Sequence, residues 1–168
     1  MQVARAAHLL LFCLAFAASV AQASDSSYYA GPVSCVDGPY SLHLPDSYEA
    51  LRQLGALRDD RVLPGPLPGS GGAEQRELSF AGLRLTILRA KLDPTDYQVL
   101  SAEVSGRGWK IAGPFKVGGL MPAHVGEVDT RQLRGRGIVE FIGEGKDVVR
   151  MRRSGRRISS ITYLCNVK

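Results

Sequence analysis

The 168-residue chain carries 21 Lys and Arg against 16 Asp and Glu, a formal net charge of +5, and 45% of its residues are hydrophobic. That size suits one core rather than two, and beyond the first 23 residues no segment is long and apolar enough to cross a bilayer as a helix. Arginine far outnumbers lysine, alanine, glycine and proline are plentiful, and Asn166 is the only asparagine, a usage typical of a GC-rich bacterial genome. No Asn-x-Ser/Thr glycosylation acceptor is present.

Arg5, the apolar run from Leu9 to Val20 and the small-residue sequence Ala21, Gln22, Ala23 before Ser24 predict a secretory signal peptide over residues 1–23. The apolar run is too short for an uncleaved anchor, which needs about 20 residues. Cys13 follows Leu11 and Phe12 rather than a small residue, which argues against a lipidated start. The expectation is a periplasmic or secreted protein, cleaved near Ala23, with a single α+β domain over residues 24–168. Cleavage leaves Cys35 and Cys165, and in an oxidising compartment such a pair most simply forms one disulfide.

Along the rest of the chain, Ser24 to Tyr29 reads as a loose leader and Val33 to Val36 as a short strand delivering Cys35 to the core. Asp46 with Glu49 makes a capping box, Leu44 and Ala50 sit where a hydrophobic staple packs, and Tyr48, Leu51 and Leu54 share one face before Gly55, so a helix is predicted here. Between 61 and 75 the concentration of Pro, Gly and Ser predicts a long exposed, flexible loop, either functional or disordered. Leu83, Leu85 and Ile87 alternate with Arg84, Thr86 and Leu88, and Leu100, Ala102 and Val104 alternate with Ser101 and Glu103, as in half-buried strands joined by a turn at Asp93 and Pro94. Trp109 and Ile111 suggest another short strand, and Pro122 to Val128 one or two helical turns. Ile138 to Ile142, Asp147 to Arg152 and Arg157 to Cys165 form an antiparallel meander, with Ile161, Tyr163 and Cys165 on one face. The predicted architecture is α+β: an antiparallel β-sheet with one or two short helices packed on one face and one disulfide.

The stretch FKVGGLMPAHVGEV followed by GIVEFIGEGKDVVRMRRSGRRISSITY resembles the small envelope modules related to the outer-membrane assembly lipoprotein BamE and to the β-lactamase inhibitory protein repeat, in which a glycine, a short helix and three strands run in this order. The likeness is one of pattern. It departs from those modules by its long N-terminal extension and by the lack of a lipidated start, and it implies protein binding without catalysis. No functional residue is carried over from it.

Charge is uneven: residues 24–130 hold 10 basic and 13 acidic side chains, a net of −3, whereas residues 131–168 hold 10 and 3, a net of +7. The arginines of that last quarter suit carboxylate or phosphate partners, because a planar guanidinium binds either in a bidentate way. Export and the lack of interleaved aromatics exclude nucleic acid as the partner. The competing reading is a solvated edge hairpin whose arginines prevent sheet-to-sheet pairing.

No catalytic constellation emerges. With His8 in the leader, only His43 and His124 remain, and His43 with Asp46, or His124 with Glu127 and Asp129, makes at most a partial metal-ligand set. No G-x-S-x-G elbow exists around a serine. Glu140 with Glu144, or Glu103 with Asp96, reads as ordinary strand and turn charge rather than as an acid and base pair. No catalytic residue, metal or cofactor is therefore expected. The reading is an exported, non-enzymatic protein-binding protein, an inhibitor or immunity-type protein acting on a cell-wall-active enzyme or toxin. The alternative is a cell-envelope accessory protein binding an outer-membrane assembly factor, lipid or peptidoglycan. Candidate partner-binding residues are Trp109, Arg150, Arg152, Arg153, Arg156 and Arg157, with the loop from Leu63 to Gly72 as a second candidate surface.

Overall fold

The computed structural model describes residues 26–35, 38–64, 72–90, 93 and 95–166. The signal-peptide reading over 1–23, the centre of the Gly/Pro-rich loop (65–71) and Pro94 lie outside the described residues.

The protein is mostly β-sheet. Among the described residues ten strands run in chain order: β1 (Ser27–Tyr29), β2 (Leu57–Val62), β3 (Glu74–Phe80), β4 (Leu83–Arg89), β5 (Tyr97–Val104), β6 (His124–Val125), β7 (Val128–Asp129), β8 (Ile138–Ile142), β9 (Val148–Ser154) and β10 (Arg157–Leu164). One α-helix, α1 (Tyr48–Arg52), and one 3-10 turn (Thr130–Leu133) complete them. Eight strands join one sheet in the order β1-β8-β9-β10-β5-β4-β3-β2, and β6 and β7 form a separate hairpin. Every neighbouring pair in the large sheet is antiparallel except β1 beside β8.

The predicted alternation sets the buried face. Leu83, Leu85 and Ile87 of β4, Ala102 and Val104 of β5, Val149 and Met151 of β9, and Ile158, Ile161 and Tyr163 of β10 are all buried. Leu100 breaks its predicted row because the β4–β5 register shifts between Thr86 and Ile87, pairing Ser101 and then Val99 and leaving Leu100 as the extra residue. The meander is β8, β9 and β10, and Cys165 bonds Cys35 with their Cα atoms 5.6 Å apart.

Helices do not cover the sheet as expected. The covering layer is largely irregular chain bearing Val33, Leu42, Phe115, Val117, Val125 and Leu133, alongside Tyr48 and Leu51 of α1. Such a layer must satisfy its backbone without a regular ladder. Isolated bridges join Leu42 to Ile111 and Leu120 to Arg157. Tyrosine hydroxyls supply further bonds: Tyr163 donates to the Tyr40 carbonyl at 2.9 Å, Tyr97 donates to the Pro45 carbonyl, and the Tyr40 hydroxyl accepts from Gly126 N.

Several local expectations are corrected. Within the segment read as a loose leader, Ser27–Tyr29 instead forms a parallel strand beside β8. Val33 to Cys35 carries no strand, although both residues are buried. The helix cap is Ser47 rather than Asp46, since the Ser47 hydroxyl accepts from Ala50 N at 3.3 Å. Trp109 belongs to no strand. Pro122 to Val128 forms the β6–β7 hairpin instead of a helix, with a turn at Gly126 held at a φ of 54°. The 61–75 loop is shorter than predicted: Arg61 and Val62 close β2, and Glu74 and Gln75 open β3.

Candidate functional site

Trp109 is placed by the β3–β4 turn. Gly82 holds a φ of 73°, and a Cβ there would lie 2.5 Å from the Gly106 Cα, so the turn packs against the end of β5 only because both positions are glycine. Gly82 O accepts from Ser105 N and Gly106 N, both at 2.8 Å. The indole rests on that platform: its Nε1 donates to Ala81 O at 2.9 Å, and its ring meets Phe80 edge-on with centroids 5.6 Å apart. Trp109 thus forms one wall of a groove of about 620 Å³, completed by Leu44, Pro45 and Leu54, with His43 and Lys110 on its rim. His43 N donates to Lys110 O at 3.0 Å, fixing the two rim segments to one another.

The five predicted arginines do not act as one patch, because strand alternation sends them to different faces. Arg150 points to the outer face and is paired with Glu140, whose other oxygen accepts from Ser27. Arg152 shares that outer face and is exposed. Arg157 opens β10 and donates to the Gly118 carbonyl at 2.7 Å. Only Arg153 and Arg156 come together, and they do so with Arg131 and Arg134 from the 3-10 turn and its exit, around a cleft of about 500 Å³ walled by Leu120, Met121 and Thr130. Trp109 is not part of this surface. Its platform on β3 lies four strands from β9, about 19 Å at ~4.8 Å per strand spacing. The reading of β9–β10 as an edge hairpin is also corrected, since both strands are interior and the charged edge is β2, with Arg58, Asp59, Asp60 and Arg61.

Within the cleft the guanidinium groups differ. Arg131 is held by Asp129 in a bidentate pair, Nε to Oδ1 at 2.9 Å and NH2 to Oδ2 at 2.8 Å. Those bonds, with one from the Arg131 backbone, hold the Asp129 carboxyl down at about 2. Arg153 donates from NH1 to the Leu133 carbonyl at 3.1 Å, while its buried Nε has no hydrogen-bond partner among the described residues. Arg134 and Arg156 are exposed and lie beyond ion-pair distance of any described carboxylate.

A second polar cluster escaped the sequence reading. Tyr48, buried at the start of α1, donates to Asp60 of β2 at 2.6 Å, and Asp60 also receives Arg76 of β3 at 2.8 Å and pairs with Arg52 at 3.2 Å. Arg76 reaches Glu74 at 2.6 Å, and Arg89 lies with its Cζ 4.6 Å from the Tyr48 ring centre. Burial pushes the Asp60 carboxyl up, but the bonds from Tyr48 and Arg76 and the charges of Arg76 and Arg52 outweigh it and hold the group below its ordinary value. Burial, together with the bond to Asp60, raises the Tyr48 hydroxyl. The available signal was the alternation of Arg76, Leu78 and Phe80, which the adjoining Gly/Pro-rich composition obscured.

The histidines and acids considered from sequence are dispersed. His124 sits opposite Asp129 in the β6–β7 hairpin, where Arg131 already occupies the carboxylate. Glu103 lies opposite Arg84 on β4 at 3.5 Å, and Glu140 is taken by Arg150. Among the described residues no group of three His, Cys, Asp or Glu side chains is placed to hold a metal ion. No family model, curated protein or solved structure matches the chain.

Proposed function

We propose that this chain is an exported, non-enzymatic protein-binding protein of the inhibitor or immunity type, acting in the periplasm on a cell-wall-active enzyme or toxin. The observation that carries the reading is Trp109, pinned from below by Ala81 and Phe80 and presenting its ring to an apolar groove with a basic rim. A rigid tryptophan in a preformed groove contributes binding energy without a large ordering cost, which is why such residues dominate interface energetics. Lys110 on the rim has no described ion-pair partner, and the chain is net basic, so the complementary partner segment carries an apolar side chain flanked by carboxylates. The Cys35–Cys165 disulfide suits an oxidising compartment, in agreement with the leader read over residues 1–23.

The test is affinity capture from an envelope extract with the oxidised protein and with Trp109→Ala, followed by an activity assay of the captured protein. The expected result is a stoichiometric hydrolase or toxin that the wild-type protein inhibits. Trp109→Ala should weaken that complex by about 2 kcal/mol or more. Capture of assembly factors or wall fragments alone would replace this reading with the envelope-accessory role.

A further inference from the structure

We infer that the cleft between the 3-10 turn and the β9–β10 hairpin is a binding site for a phosphate monoester, held by Arg134, Arg153 and Arg156. The site is separate from the Trp109 groove and does not depend on the function proposed for it.

Charge and geometry both point this way. Four guanidinium groups line the cleft, and one carboxylate, Asp129, neutralises one of them, Arg131. The remaining three leave an uncompensated charge concentrated in one concavity. Every acid of the basic quarter that could have answered it, other than the exposed Glu144, is engaged elsewhere. Glu140 binds Arg150 and Ser27, while Asp147 accepts from Cys35 N at 2.8 Å and Asn166 N at 2.7 Å. A single carboxylate ligand would leave most of this charge unanswered, whereas a phosphate monoester brings about −1.5 to −2 and three acceptor oxygens.

The donors are also prepared differently. Arg153 is fixed by its bond to Leu133 O and lines the cleft. Arg134 and Arg156 are free to close over an incoming group, and planar guanidinium groups donate to phosphate oxygens in pairs. A cleft of about 500 Å³ is larger than a phosphate alone requires, and Leu120 and Met121 give it an apolar wall for the organic part of the ester. The ester can be a soluble metabolite or an exposed lipid headgroup, since the same oxygens are presented in either case.

Calorimetric titration of the oxidised protein with glucose 1-phosphate at low ionic strength, against glucose and acetate, tests the chemistry. Cosedimentation with phosphatidic acid vesicles, against phosphatidylcholine vesicles, tests the headgroup source. The expected result is saturable binding to one of the two phosphate probes that falls at least tenfold in the Arg134→Ala, Arg156→Ala double variant and is unchanged in Arg58→Ala, an exposed β2 arginine outside the cleft. Binding of the soluble ester assigns a metabolite, and binding confined to phosphatidic acid assigns a headgroup. Failure of both probes, acetate binding as tightly as the ester, or a double variant that binds as well as wild type would each overturn the site.

Discussion

The two ends of the sheet use the same residue type in opposite ways. Around α1, β2 and β3, Arg52, Arg61 and Arg76 each meet a carboxylate, and Asp60 is shared by Tyr48, Arg76 and Arg52. Around β8, β9 and β10, Arg150 has Glu140 and Arg131 has Asp129, but Arg134 and Arg156 lie beyond ion-pair distance of any described carboxylate and Arg153 is tied to a carbonyl. The first end is locked by side-chain charge. The second is tied by a covalent bond, Cys35 to Cys165, with Asp147 fastening the backbone on both sides of it. Arginine content alone therefore does not mark a binding surface: what separates Arg134, Arg153 and Arg156 from Arg52, Arg61, Arg76 and Arg150 is whether the fold supplies the counter-charge.

Breaking the covalent tie should have the largest effect. The bridged residues are 130 positions apart, so the Cys35→Ser, Cys165→Ser variant should lose about 4–5 kcal/mol in the chain-entropy model, read from the guanidinium midpoint and slope. A loss below about 1 kcal/mol would show that the basic end is held by packing instead. Next is Arg76→Ala, which leaves Asp60 and Glu74 without their principal partner at a largely enclosed site and should cost about 2–3 kcal/mol by the same measurement.

Acid should loosen the charge-locked end selectively. Asp60 is held below its ordinary value, so the unfolded chain binds its proton more readily than the native protein does. Its contribution is complete above the ordinary carboxylate range, near about pH 4, and declines as pH falls below it. Urea midpoints measured down the acid range should fall less steeply in Asp60→Asn than in wild type, and parallel slopes would remove Asp60 from the lock. The smallest effect belongs to the Arg134→Ala, Arg156→Ala variant, whose stability should remain within about 0.5 kcal/mol of wild type because neither side chain has an ion-pair partner among the described residues. A cost above about 1 kcal/mol would make these arginines structural and erase the contrast.

The strands of the second half were legible because alternation over Leu83–Ile87 and Ile138–Leu164 is strong and the turns carry glycine. The β2–β3 hairpin was not, since LRDDRV offers a charged edge rather than a buried row and Gly/Pro composition spreads over its flanks. The β6–β7 hairpin hid behind a proline that fits a helix start equally well. Of the candidate site residues, Trp109 and the arginines were visible as residue types. Their division was not, because adjacent positions such as Arg152 and Arg153 fall on opposite faces of β9, and Arg131 and Arg134 join the cleft from a separate element.

Residue spacing and count were enough for the period-two apolar rows, the Cys35–Cys165 pairing and the excess of positive charge at the C-terminal end. Spacing and count did not reveal which arginines find carboxylates, that irregular chain rather than helix covers the sheet, or that Trp109 and Arg153 stand on different surfaces. Those outcomes depend on strand order and register, which bring together residues far apart in the chain and which local spacing does not encode.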